Sequence, residues 1–273
     1  MSKLETILWE RFSGGNSRLQ TSLLGLLAEA RAISGATGSE LVFDLLNRYT
    51  YLARDSYDEA IECIANYIIS DFDIDKTLLC ATTADHKKDS AQAVLYDLVT
   101  AMGLFGYNKI LSANRYDRAQ KFAGQIDDII LVDEFLGTGR SIIGRIKSIS
   151  RVFSDKHIRV PRIHAVVIAG MEFGLRRVSP YASNVHAYLA LKPGLRGFSS
   201  GASLSSAYAS MDSFEGALAP SVYGYALPRL GDGECEALYG RDRGNCPNSV
   251  LPIFWWPKSK NGQNRSTPFS RVF

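Results

Sequence analysis

Asp133 and Glu134 stand side by side after the apolar run Ile129-Ile130-Leu131-Val132, and Gly137-Thr138-Gly139-Arg140-Ser141 follows two residues later. Two adjacent carboxylates at the end of a strand suit a diol, which offers two hydroxyl donors. Glycines let backbone amides turn toward a ligand without side-chain obstruction. Consecutive amides that open a helix form an anion site. Thr138 and Ser141 add hydroxyl donors and Arg140 a positive charge. The spacing describes a cradle for a ribose 5-phosphate, with acids at the sugar and the loop at the phosphate. Two other phosphate loops fit worse. A Walker loop needs a Gly upstream and a Lys where Arg140 stands, and the dinucleotide fingerprint needs a third Gly where Ile142 stands.

The elements that position this segment follow from apolar periodicity. Helices are expected over the first 70 or so residues, with Leu19, Leu23, Leu26 and Leu27 on one face and a break at Gly35 and Gly38. A further helix starts near Asp58. From Lys76 the texture changes to short apolar runs of strand length, at residues 77–83, 109–112, 129–132, 163–169 and 185–191. Helical patterns separate them, among them Ile142, Ile143, Ile146, Ile149 and Phe153. Strands alternating with helices imply an α/β fold with a parallel sheet covered on both faces. Ligands on such sheets bind at the carboxyl ends of the strands. Residues 192–245 are rich in Gly, Ser, Ala and Tyr, and residues 251–256 read as a last strand-like run. Tyr208, Phe214, Tyr223 and Tyr225 are read as local core ahead of base stacking. The expected organisation is a helical region over 1–70, an α/β core over 71–192, a hood-like segment with a closing strand over 193–257, and a mobile basic tail over 258–273.

The motif resembles the phosphoribosyl-pyrophosphate signature of type I phosphoribosyltransferases: four hydrophobic residues, two acids, two hydrophobic residues, a small residue, Thr, Gly, any residue, then Thr or Ser. Asp133 and Glu134 match the acids, and Gly137, Thr138, Gly139 and Ser141 match the loop. Glu134 departs from the family, which more often has a second Asp. The resemblance implies that Asp133 and Glu134 are the catalytic acids at the ribose, and that Gly137, Thr138, Gly139, Arg140 and Ser141 hold the 5-phosphate. It implies that Lys87, Lys88, Asp89 and Ser90 bind pyrophosphate, with Ser90 capping the next helix. It also implies a mobile loop whose candidates are Arg115, Arg118 and Lys121. Phosphoribosyl pyrophosphate would come with Mg2+, held by the ligand and water with no direct protein ligand. The ending, residues 245–256, and the overall layout resemble a divergent bacterial group of phosphoribosyltransferase-like proteins associated with conflict systems, including retron-type phage defence.

Bulk properties set the remaining bounds. The chain has 273 residues, 46% hydrophobic and 22% charged, with a net charge of +3. That charge is too small to argue for nucleic-acid binding by itself. No secretory leader or membrane-spanning run is read, and Cys63, Cys80, Cys235 and Cys246 lack metal spacing. The expectation is a cytoplasmic protein with reduced thiols. Three function classes stay open: an enzyme using phosphoribosyl pyrophosphate with an unread acceptor, a non-catalytic sensor of that ligand or a nucleotide, and a toxin-like defence effector held by a partner protein or nucleic acid.

Overall fold

A computed structural model describes residues 6–7, 10–12, 17–84 and 89–273. The chain divides into two compact units, Met1–Ser56 with Lys192–Phe273, and Tyr57–Leu191.

The first unit begins with α1 (Ser17–Arg48), interrupted at Ser34 and Gly35, where Gly35 has φ +63. This is the break that Gly35 and Gly38 suggested. Strand β1 (Thr50–Leu52) follows. Helix α2 (Arg54–Asp71) belongs to the second unit from Tyr57 onward, with Ile61, Ile64 and Ile68 buried.

The second unit continues with β2 (Thr77–Ala81), α3 (Ser90–Leu104), β3 (Leu111–Ala113), a 3₁₀ segment at Tyr116–Phe122, and β4 (Asp128–Leu136). Then come α4 (Arg140–Asp155), β5 (Arg162–Met171), α5 (Glu172–Val178) and β6 (Asn184–Leu191). The five strands form one sheet in the order β3-β2-β4-β5-β6, parallel throughout. On one face Leu78, Ile129, Leu131 and Ile163 pack with Ile142, Ile146, Ile149 and Phe153 of α4. On the other, the Tyr67 ring of α2 stacks on His186 at 3.9 Å and the Phe72 ring meets His164 edge-on at 4.8 Å. Such a sheet, apolar on both faces, explains why its strands read as continuous hydrophobic runs.

The first unit resumes with α6 (Gly201–Gly216), the hairpin β7 (Ser221–Val222) and β8 (Tyr225–Ala226), and β9 (Tyr239–Arg241). Strand β9 pairs in parallel with β1. Residues 251–256 are not a strand. Pro252–Phe254 forms a 3₁₀ turn, and both Trp255 and Trp256 are buried with their indoles donating to Val250 O and Ala219 O at 2.9 Å. The basic tail is fastened rather than loose. Arg265, 4% exposed, donates to both carboxylate oxygens of Glu29 at 2.7 and 2.8 Å, and Phe269 stacks on Tyr49 at 5.0 Å. Among the aromatic residues considered for stacking, Tyr208 donates to Glu236 and Phe214 is buried, while Tyr223 and Tyr225 lie against the Phe273 ring. Among the described residues no helix is long and apolar enough to cross a membrane.

Candidate functional site

Strand β4 outruns its neighbour. Its pairing with β2 ends at Ala81 opposite Val132, whereas its pairing with β5 continues through Leu136 opposite Gly170. Beyond Ala81 the β2 ladder stops, so residues 133–136 lie past it at the carboxyl end of the sheet. This is where a parallel α/β sheet takes ligands.

Asp133 is the first residue of β4 past that ladder, and it is half-buried. Its Oδ2 accepts a short hydrogen bond from the Thr82 hydroxyl, and its Oδ1 accepts from the Glu134 amide at 2.8 Å. Burial pushes its carboxyl up to about 6, with the Asp89 and Glu134 charges adding to the rise; the Thr82 and Glu134 donors pull against it. Thr82 is itself held. Its amide donates to Val132 O at 3.2 Å, and its carbonyl accepts from Arg145 Nε at 3.1 Å. The Arg145 guanidinium lies 4.7 Å over the Tyr116 ring. Glu134, 1% exposed, follows Asp133 within the strand. Strand alternation turns it toward the opposite face of the sheet, so the two acids do not face one side as a pair.

The donors after Asp133 come from the loop. Gly139 is the N-cap of α4 with φ +77, a backbone conformation that side chains disfavour. A Cβ there would lie 2.7 Å from Val178 Cγ2 and 3.0 Å from Gly174 O. No acid sits in the first turn of α4, which opens on exposed Arg140 and Ser141. Thr138 is nearly buried, its hydroxyl accepting from the Arg140 amide at 3.4 Å. Helix macrodipole, arginine and open amides thus point the same way, toward an anion.

The remaining candidate residues divide. Lys87 and Lys88 lie outside the described residues. Asp89, not Ser90, is the N-cap of α3: its carboxylate accepts from the Gln92 amide at 3.2 Å and from the Thr83 hydroxyl at 2.6 Å. Ser90 is the first helical residue. A carboxylate accepts from the N2 or N3 amide without needing a hydroxyl rotor, so Asp89 wins the cap. Arg115, Arg118 and Lys121 line one cavity of about 380 Å³ with Asn114 and Phe122. Arg115 is tied to Asp117 at 2.6 Å, while Arg118 and Lys121 are exposed. Among the described residues no group of three metal-binding side chains gathers.

Sequence reasoning missed Thr82, Arg145, Gly174 and Arg177. Thr82 lies near the end of the apolar run 77–83, but its partner lies 51 residues on. Arg145 reads as one charge on the solvent face of a helix.

The Thr82 contact supports a prediction. Thr82→Val removes the hydroxyl that favours ionised Asp133. The carboxyl is then expected to titrate higher by roughly one pH unit, the equivalent of one charge-assisted hydrogen bond, while Thr82→Ser restores it. Carboxyl carbon chemical shifts followed over pH 4–8 provide the check, and an unchanged midpoint would refute the contact.

No curated protein matches the sequence. Similar solved structures include the xanthine-guanine-hypoxanthine phosphoribosyltransferase of Helicobacter pylori, 9% identical over 50% of this chain and 84% of that one, with a TM-score of 0.32. The orotate phosphoribosyltransferase from Aeropyrum pernix is 12% identical over 50% of this chain and 71% of that one, also with a TM-score of 0.32. The hypoxanthine-guanine phosphoribosyltransferase from Schistosoma mansoni in complex with IMP is 11% identical over 51% and 67%, with a TM-score of 0.34. A family model described as PRTase-CE matches residues 36–272. With its helix-flanked parallel sheet, and matched by that family model over most of its length, this chain belongs to the PRTase-CE family.

Proposed function

We propose that the chain binds phosphoribosyl pyrophosphate at the carboxyl end of β4 and transfers its phosphoribosyl group to an acceptor. The observation that supports this most is the juxtaposition of Asp133 with the α4 loop: a fixed carboxylate acceptor, then open amides on a left-handed Gly139, within six residues. Asp133 accepts hydrogen bonds from the ribose hydroxyls and supports the sugar as positive charge develops on its anomeric carbon. The amides of Thr138 and Gly139, the Ser141 hydroxyl and Arg140 hold the 5-phosphate. The bond between the anomeric carbon and pyrophosphate breaks, its electron pair leaving with pyrophosphate, while an acceptor lone pair forms the new bond from the opposite face. Lys87, Lys88, Arg118 and Lys121 are the cations proposed to meet the pyrophosphate charge.

Mg2+ fits this site as a cation brought in by the ligand. Asp133 is pushed up by burial with the Asp89 and Glu134 charges contributing, which a nearby divalent cation relieves, and no described cluster could cage the metal alone. When bound, the ion neutralises pyrophosphate oxygens and keeps several waters. The residues of this chain then need only hold the ribose and the phosphate.

A second reading, a sensor that binds without turnover, is favoured by one observation: Glu134 is buried in the strand, on the face opposite Asp133. Calorimetry with phosphoribosyl pyrophosphate and Mg2+, followed by an assay for released pyrophosphate with candidate acceptors, separates the two. Absence of binding sinks both; binding with no release under any acceptor leaves the sensor. A role in anti-phage defence is a further proposal, supported by the resemblance of residues 245–256. Its test is co-purification with a reverse transcriptase or an RNA–DNA species.

A further inference from the structure

The short helix α5 touches the phosphate loop at three points. A Cβ on Gly174 would lie 2.0 Å from Gly137 O and 2.8 Å from Leu136 Cδ2, so the loop backbone runs flush against α5. Val178 Cγ2 fills the space beside Gly139, 2.7 Å from where its Cβ would be. Between these contacts, Arg177 Nη1 donates to Thr138 O at 3.3 Å. The carbonyls of Gly137 and Thr138 therefore both face α5.

In a trans peptide the carbonyl and the following N–H point in opposite directions, and the described peptides include no cis bond. Fixing Gly137 O and Thr138 O toward α5 turns the Thr138 and Gly139 N–H groups away from it, side by side. Two adjacent amides held parallel, continuing into the first turn of α4, make a concave donor set that a tetrahedral anion fills. Without a partner at Thr138 O the peptide 138–139 is free to flip, because Gly139 tolerates many backbone angles.

We propose that α5 is a template for the phosphate loop, in which Arg177 is a positioning residue that pins the 138–139 peptide so that the Gly139 amide meets a phosphate monoester. The proposal rests on the function argued above and names a residue outside the loop motif. A bland account is available, since a cation near the end of α5 is favoured by the helix macrodipole. Arg176 has that same advantage and pairs instead with Glu172 at 3.7 Å. It serves as the internal control.

The test uses the full chain labelled with 15N-glycine, titrated with ribose 5-phosphate, and with ribose as the unphosphorylated control. In the wild type the Gly139 amide is expected to shift downfield on ribose 5-phosphate and not on ribose. Arg177→Met is expected to lose that shift and to bind ribose 5-phosphate roughly fivefold to tenfold more weakly, the worth of one hydrogen bond. Arg177→Lys restores most of both, and Arg176→Met matches the wild type. Arg177→Gln repeats the test should Arg177→Met fold poorly. A wild-type Gly139 shift and affinity in both the Met and Gln variants overturns the template. Failure of the wild type to bind ribose 5-phosphate overturns the functional reading itself, and the template with it.

Discussion

Asp133→Asn is expected to weaken phosphoribosyl pyrophosphate binding by roughly 10- to 100-fold while leaving the fold as stable as before or more so. The loss follows from hydrogen bonds to a charged acceptor, each worth roughly 1.5–3 kcal/mol. The carboxylate offers acceptors in every direction, and two of its sites are already used by the Thr82 hydroxyl and the Glu134 amide. An Asn keeps the shape but makes one terminus a donor. Turned toward the Glu134 amide, that donor faces another donor; turned toward Thr82, it is met by the hydroxyl rotated to accept; turned toward the ligand, it faces ribose hydroxyls with no charge to offer. The stability side follows from the titration. Asp133 goes from an ordinary 3.8 to about 6 in the fold, so the folded chain binds this proton more tightly than the unfolded one. Stability from this group is present at low pH and falls as pH rises from about 3.8 through about 6. At pH 7 the ionised carboxylate costs the fold, and a neutral Asn removes that cost. Loss of function with unchanged or higher stability marks a site held against its folding preference. Calorimetry with Mg2+ and urea denaturation at pH 7 measure the two quantities. Equal affinity in both proteins removes Asp133 from the site, and a large stability loss makes its role structural.

What could be read in the residues and what could not divides along chain distance. The strand, loop and start of α4 are contiguous, and each part has a local cause: the apolar run 129–132 for a strand buried on both faces, Gly139 for the left-handed turn, Ile142 and Ile146 for the face of the following helix. Parallel pairing was legible because helices separate the strands. The partners that hold the segment come from elsewhere. Thr82 reaches Asp133 from the end of β2, and Arg177 reaches Thr138 from a helix 39 residues on; neither spacing carries a periodic signal. The ends of the chain were misread for the same reason. Parallel pairing of β1 with β9 and the Arg265–Glu29 ion pair, 236 residues apart, bring them into one unit. A tail rich in Lys and Arg without acids looks solvated until its carboxylate partner is found. Residues 251–256 were read as a strand because a short apolar run fits any buried conformation, and Pro252, which favours the first turn of a helix, decided for 3₁₀.

Gly174→Ala offers the sharpest test of the loop's setting, and the glycines of this region behave differently by position. Gly144 lies inside α4 with nothing within 4 Å of a Cβ, so Gly144→Ala is expected to raise stability by about 0.5–1 kcal/mol through helix propensity. Helical backbone at Gly174 accepts Ala equally well, and propensity alone predicts a similar gain. The methyl group, however, would lie 2.0 Å from the Gly137 carbonyl oxygen. The obstructing atom is backbone, so no side-chain rotation relieves it, and either α5 or the loop must move. Overpacking of this kind costs about 1–3 kcal/mol. A shift of the loop by an ångström misaligns the Thr138 and Gly139 amides together, for which a loss of about 100-fold in affinity for a phosphorylated ligand is expected. Gly139→Ala meets a positive φ, Val178 Cγ2, a side-chain atom that can yield, and the Gly174 carbonyl oxygen at 3.0 Å, and its cost is about 1–2 kcal/mol, mostly from the backbone. The order expected in thermal unfolding is Gly144→Ala above wild type, with Gly139→Ala and Gly174→Ala below it, and in ribose 5-phosphate affinity Gly174→Ala is lowest. A Gly174→Ala protein as stable and as tightly binding as Gly144→Ala would mean that α5 does not press on the loop, and that the anion cradle must owe its shape to β4 and α4 alone.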